Sequence, residues 1–337
     1  MISANSPMLA RVLKAAVLRG ASDVHAKAGD VFRARIDGEL VPLTKQRLTP
    51  QQTRALAAMF AGMAPQDARL DTLRDLNCSW GVAGVGRFRI NVLRQRSSFM
   101  IILRVIPFSV PTPEGLGLPA AVAEFAESPD GLVLVSGPGG SGKTSTIAAM
   151  VHHINRTQPR HVVTLEDPIE YLHRDLTGSI SQREIGTDTD DAASGLQAAR
   201  RQDPNVIVIS DLRDPVAIDR AIRAAESSCL VLAALTAHDA AGCLVQLIAT
   251  MLPEEREVGR VRLASALRGV IAQRLVTKGK SGVRHVVVEW VESTPAIQDA
   301  IASGADASGL RKAFDRAAKE GKAKLFPAGR DSAPEAS

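Results

Sequence analysis

The spacing of apolar residues changes character about a third of the way along the chain. Near the start, Leu9, Val12, Leu13, Ala16 and Val17 follow Ser6-Pro7 at helical spacing and stop before Gly20, which predicts one amphipathic helix. Residues 32–43 then alternate on either side of Asp37-Gly38, a hairpin signal. Thr49-Pro50 opens a second helix to about Gly62. Between Leu76 and Ile106 lie three strand-like runs, NCSWGV, RFRINVLRQ and SFMIILRVI. The pattern predicts a small α+β domain over residues 1–106 with an antiparallel sheet. Pro107, Pro111, Pro113 and Pro119, interleaved with Gly115 and Gly117, predict a hinge over 107–119.

From residue 120 short unbroken apolar runs alternate with helical ones. Strands are expected at Leu132–Val135, His161–Leu165, Val206–Ile209 and Cys229–Leu235, and helices at Gly142–Arg156, Asp190–Gln202, Pro215–Glu226 and Ala240–Met251. Unbroken runs mark strands buried on both faces, and their alternation with helices implies an α/β domain with a parallel sheet over 120–304. Glu254 to Ala272 reads as one longer amphipathic helix and Arg284–Trp290 as a late strand. Residues 305–337 read as a short helix followed by a fraying tail.

Composition narrows the class. A chain of 337 residues suits two domains, and with 3% aromatic residues its core must rest on Leu, Val, Ile and Ala. The net charge of +5 is spread along the chain, without a basic stripe or an aromatic stacking platform, so no nucleic-acid partner is expected. Cys78, Cys229 and Cys243 have no metal spacing, and their odd number argues against a disulfide framework. No secretory signal pattern and no run of 18 apolar residues is present, so a cytoplasmic location is expected.

The stretch that carries chemistry is GLVLVSGPGGSGKTSTIAAM, residues 131–150. It reads strand, tight loop, helix. Gly137, Gly142, Lys143 and Thr144 meet the pattern G-x-x-x-x-G-K-[ST]. Glycines let consecutive backbone N–H groups turn inward around an anion, and the following helix aims its positive end at the same place. The expected nucleotide-binding segment is Gly137, Pro138, Gly139, Gly140, Ser141, Gly142, Lys143, Thr144 and Ser145. Lys143 would reach the β and γ phosphates of ATP, and the Thr144 hydroxyl would sit on Mg²⁺.

Hydrolysis also needs carboxylates to hold the metal and poise a water. Glu166 and Asp167 end one apolar strand, where open α/β sheets place their ligands, although a solvated acidic turn fits the same residues. Asp211 ends VIVIS, the usual Walker B position. Arg87, Arg89, Arg94, Arg96 and Arg104 fall on strands of the first domain, either as phosphate-binding forks or as an exposed basic face.

Ordered motifs sharpen this. ASDVH (Ala21 to His25), TLEDPIEYLH (Thr164 to His173), QREIGTDT (Gln182 to Thr189), DPNVIVISDLRD (Asp203 to Asp214) and TPAIQDAI (Thr294 to Ile301) resemble, in order and spacing, motifs of the PilT-family type IV pilus retraction ATPases within the wider secretion-ATPase superfamily. The match runs from about Met8 to Ser303. The resemblance implies a PAS-like first domain, a RecA-like P-loop motor domain and a homo-hexameric ring. It also implies ATP·Mg²⁺ bound at domain and subunit interfaces, and a platform protein in the inner membrane as partner. The family's catalytic glutamate maps onto Glu166 and its first-domain arginines onto Arg89 and Arg104, while a further one falls on Ser97 beside Arg96. Asp211 takes the Walker B role, with Thr144 and Asp211 as metal ligands.

The departures fall in the same places. Ser210-Asp211 stands where the family has Gly-Glu, and the aspartate's shorter arm withdraws its carboxylate by roughly 1.5 Å. Ala234-Leu235-Thr236 replaces a Thr-Leu-His box, with His238 two residues on; Cys229 replaces a second histidine, Gln197 an arginine, and Gln298-Asp299 an Arg-Asn pair. Together they imply a divergent paralogue, either a slowly turning motor or a nucleotide-binding regulatory subunit of an active one.

Overall fold

The computed structural model describes residues 7–36, 38–106, 109–277 and 284–326. Asp37 of the expected hairpin turn, Pro107 of the expected hinge and the tail beyond 326 lie outside them. The chain divides into two compact units, residues 1–109 and 110–337. Among the described residues no helix is long and apolar enough to cross a membrane.

The first unit runs α1 (Pro7–Leu18), β1 (Asp23–Lys27), β2 (Arg33–Ile36), β3 (Glu39–Pro42), α2 (Pro50–Phe60), α3 (Arg69–Thr72), β4 (Asp75–Val82), β5 (Gly86–Gln95) and β6 (Ser98–Ile106). Thr49 caps α2 in a full capping box with Gln52, and Pro50 follows at the first turn. The sheet order is β3-β2-β1-β6-β5-β4, antiparallel throughout, as the alternation predicts. One face is core: Phe88, Ile90 and Val92 of β5 and Phe99, Ile101 and Leu103 of β6 pack against Leu9, Leu13 and Leu56 of the helices. Arg96 is not on a strand. It shares with Ser97 a two-residue turn in which both have positive φ, the geometry that joins closely paired strands.

The second unit runs α4 (Ala120–Glu127), β7 (Gly131–Ser136), α5 (Lys143–Thr157), β8 (His161–Glu166), β9 (Ser179–Glu184), α6 (Ala192–Ala199), β10 (Val206–Ile209), α7 (Pro215–Glu226), β11 (Leu230–Leu235), α8 (Ala240–Thr250), α9 (Arg256–Ala266), β12 (Leu267–Thr277), β13 (Arg284–Glu292), α10 (Pro295–Ala302), α11 (Ala307–Lys319) and β14 (Ala323–Lys324). Ahead of it, residues 112–118 fold into a local turn in which Thr112, Pro113 and Glu114 accept hydrogen bonds from Leu116, Leu118 and Gly117.

The sheet order is β14-β13-β12-β7-β11-β10-β8-β9, parallel from β12 to β9, with β13 and β14 added antiparallel. Alternate residues of β7 enter opposite layers: Leu132 and Leu134 join a core with α6 to α11, Val133 and Val135 one with α4 and α5. A strand covered on both sides explains the unbroken apolar run.

The helix expected over Glu254 to Ala272 stops at Ala266, and Leu267–Thr277 is a central strand beside β7. A short apolar run such as Val270-Ile271-Ala272 carries no period that separates a buried strand from a buried helix. Gly269 marks the difference. A Cβ there would strike the Phe125 ring and come within 2.9 Å of the Val291 carbonyl oxygen. The last helix, α11, has 13 residues and buries Leu310, Ala313, Phe314 and Ala317 in the same core as the central strands.

Candidate functional site

All six residues of β7 are buried, which fixes the point where the glycine loop leaves the sheet. Gly137, Gly140 and Gly142 take φ of +157°, +74° and +91°. At Gly137 space forbids a side chain as well, since a Cβ would collide with the Gln273 carbonyl oxygen and Ser141 Oγ. Gly142 caps α5, whose first residues, Lys143, Thr144 and Ser145, are half-buried. Lys143 Nζ donates to Gly137 O over 2.7 Å and to Pro138 O over 3.1 Å. Burial lowers its pKa, and the charge of Asp211 opposes that shift. The ammonium is therefore seated inside the loop on carbonyls that a phosphate can replace.

Gln273 of β12 supports the loop from below. Its side chain, 1% exposed, donates through Nε2 to Ser141 O over 2.7 Å. Nothing in the sequence reading singles it out, because the strand that carries it was expected to be helix up to Ala272.

Glu166, the last residue of β8, is 8% exposed, and burial raises its pKa. Its Oε1 accepts hydrogen bonds from Thr164 Oγ1 (2.6 Å) and Gln182 Nε2 (2.9 Å). Thr144, Thr164, Glu166, Tyr171, His173 and Ser210 line one small cleft of about 20 Å³, so the loop's threonine and the expected catalytic carboxylate share a site. His173 is held neutral by burial, its pKa lowered to about 4. Ser145 and Tyr171 share a hydrogen bond of 2.8 Å.

Asp211 follows β10, which lies next to β8. Its carboxylate, 36% exposed, engages Arg213. Ser210, the departure beside it, has a structural use: its Oγ accepts the Asp167 N–H over 3.0 Å, tying the end of β10 to the turn after β8. A glycine cannot make that bond.

Thr236 and His238 are exposed and line a different cavity, about 1000 Å³, with Pro138 and Gly139 of the loop and with Arg274, Glu289 and Arg311. Cys229 stands just before β11, at the end of the sheet opposite the glycine loop, because Leu230 pairs with Gly131 and Leu235 with Ser136. It is buried with its thiol pKa pushed up to about 12, so the loss of a histidine there does not touch the site directly. Gln197 is exposed on α6.

In the first unit, Arg89 and Arg104 are directly opposed across β5 and β6, on the face away from the core. Two like charges so placed repel. Asp23, opposite Arg104 on β1, offsets this by accepting from Arg104 Nε over 3.0 Å, while the Arg104 side chain stays 67% exposed. This gives the ASDVH stretch a physical role.

Residues 3–317 match the model of the family described as type II/IV secretion system protein. The type IV pilus ATPase PilU of Pseudomonas aeruginosa is 33% identical over 315 residues, 92% of this chain and 81% of that protein. The type IV pilus retraction ATPase PilT of the same organism is 35% identical over 285 residues, 84% of this chain and 82% of that protein. A crystal structure of the pilus retraction motor PilT with bound ADP superimposes with a TM-score of 0.82 at 37% identity, covering 91% of this chain and 88% of that one. The fold is that of an N-terminal domain joined to a RecA-like ATPase domain, and the chain belongs to the type II/IV secretion system protein family.

Proposed function

We propose that the protein is a hexameric ATPase motor that drives retraction of a type IV pilus or a related filament or secretion machine. The observation that carries this is the cleft in which the glycine loop's Thr144 and the buried carboxylate of Glu166 come together, in a chain alike over most of its length to pilus ATPases. The loop's backbone N–H groups, Lys143 and Ser145 bind the triphosphate of ATP, and Lys143 exchanges the Gly137 and Pro138 carbonyls for phosphate oxygens. Thr144 and Asp211 would hold Mg²⁺. Their hydroxyl and carboxylate oxygens suit a cation that keeps waters and phosphate oxygens as its other ligands, and that would neutralise charge building on the phosphates. Glu166 orients and deprotonates the attacking water.

Arg89 and Arg104 supply positive charge to the phosphates, and hydrolysis performs mechanical work on a platform protein at the cytoplasmic face of the inner membrane. Steady-state ATP hydrolysis by the size-defined oligomer, with Glu166→Gln beside it, tests the reading. Hydrolysis lost in Glu166→Gln with nucleotide binding retained supports it, and equal rates refute it.

A second reading, a weakly hydrolysing regulatory subunit of an active paralogue, is favoured by Asp211, whose short side chain is engaged by Arg213. A rate increase in Asp211→Glu separates a slowed motor from a subunit that never turned over.

A further inference from the structure

Glu166 has three rotatable side-chain bonds, yet two side chains hold one of its oxygens. Thr164 lies two residues earlier on β8, hence on the same face of the strand, and donates to Oε1 over 2.6 Å. Gln182 donates to the same oxygen over 2.9 Å from β9, the edge strand. In the parallel register Gln182 pairs with Thr164, and Glu166 with Glu184. The amide therefore reaches forward along the strand to the carboxylate, a span that needs the length of glutamine.

The same side chain makes two further bonds. Its Nε2 also donates to Tyr171 O over 2.8 Å, and its Oε1 accepts the His173 N–H over 2.9 Å. One residue thus ties together β9, the loop after β8 and the carboxylate. Tyr171 in turn shares a hydrogen bond with Ser145 of α5, so the connection runs on to the helix that starts at the glycine loop.

We propose that Gln182 is a positioning residue for ATP hydrolysis: its donated hydrogen bond, with that of Thr164, fixes the Glu166 carboxylate in the direction of the attacking water. The proposal rests on the reading of Glu166 as the group that acts on that water. The physical reason is preorganisation. A carboxylate left to rotate spends most of its time misaimed, and misplacement by about 1 Å costs up to about a hundredfold in rate. Two donors on Oε1 restrict it without occupying every lone pair of the group, since an ionised carboxylate offers about four acceptor sites. ATP affinity does not depend on this aim, because the loop and Lys143 bind the phosphates.

The test is steady-state ATP hydrolysis by the full chain and by Gln182→Leu, Thr164→Val, Thr164→Ser, Glu166→Gln and the double variant Gln182→Leu/Glu166→Gln. Gln182→Leu is expected to lower kcat about tenfold with KM for ATP within about twofold. Thr164→Val does the same, and Thr164→Ser, which keeps the hydroxyl, recovers most of the loss. In the Glu166→Gln background, Gln182→Leu costs nothing further, because the group it aims is already gone. An unchanged kcat in folded Gln182→Leu, a rise in KM alone, or a full additional loss in the double variant overturns the proposal. Should Gln182→Leu fail to fold, the threonine pair decides: equal kcat in Thr164→Val and Thr164→Ser overturns it, and a loss confined to Thr164→Val supports it. Failure of the Glu166 reading is visible separately, as wild-type hydrolysis by Glu166→Gln, and removes the proposal with it.

Discussion

Lys143 is seated on the carbonyls of its own loop, and this makes its removal informative. Hydrogen bonds to charged groups contribute about 1.5–3 kcal/mol, so Lys143→Ala is expected to weaken ATP binding by about tenfold or more. The fold should survive, since the side chain packs no core. Titration with a fluorescent ATP analogue, alongside thermal melting, checks both halves. Glu166 gives a pH signature. Burial raises its pKa, so the deprotonated form that can accept a proton from water is lost earlier as pH falls than for an ordinary glutamate. The acid limb of the kcat profile is expected above the usual carboxylate range, and it should vanish in Glu166→Gln. At Asp211, whose carboxylate engages Arg213, the expected outcome is a several-fold higher kcat in Asp211→Glu, as the added methylene extends the carboxylate's reach by about 1.5 Å. Lower hydrolysis in that variant would make the aspartate the working acid of this chain.

Among the elements, α11 has consequences that its position near the end of the chain hides. Phe314 is 1% exposed and belongs to the core that covers the central strands. Truncating a buried phenylalanine costs about 3–5 kcal/mol, so Phe314→Ala should lower the melting temperature of the second unit markedly. A melting curve that overlays the wild-type one would mean that α11 is an appendage. The glycine loop shows a sharper constraint, because Gly137 combines a positive φ with contact against Gln273 and Ser141. Much of the site at this scale was legible in the sequence: the strand-loop-helix of residues 131–157, and the strand ends that carry Glu166 and Asp211. Gln273 was not legible as a site residue, and Gln182, though it opens the QREIGTDT motif, was not legible as a partner of Glu166. Each acts across strands, and contacts between residues distant in sequence leave no local period.

For the whole molecule the prediction is a ring. A neighbouring subunit is proposed to complete each nucleotide site, with half-buried Arg89 and exposed Arg104 of the first unit as the proposed donors of positive charge. Light scattering of the full chain is expected to give a hexamer, favoured by ATP, and a strict monomer at micromolar concentration with ATP present would count against the motor. Arg89→Ala and Arg104→Ala should each lower kcat by about a thousandfold or more, the lower end of what an arginine that neutralises transition-state charge contributes, with ATP binding retained. For Arg104 a control is needed, because the change also leaves Asp23 without its partner. Unchanged melting together with lost turnover would locate the effect in catalysis.

The sequence by itself determined the class of chemistry, because a phosphate loop is a local object: glycines, a lysine and a threonine at fixed spacing dictate backbone conformation and charge within one turn of chain. It also determined the order of strands and helices wherever period and capping agree, as at α2 and α7. Tertiary structure decided the rest. It made Leu267–Thr277 a strand, because the place beside β7 in the sheet buries both of its faces. It moved Cys229 away from the site, because strand direction sets which end of a strand meets the loop. It gave Glu166 its raised pKa and its two side-chain anchors, since burial and cross-strand hydrogen-bond partners come from residues brought together only when the sheet assembles.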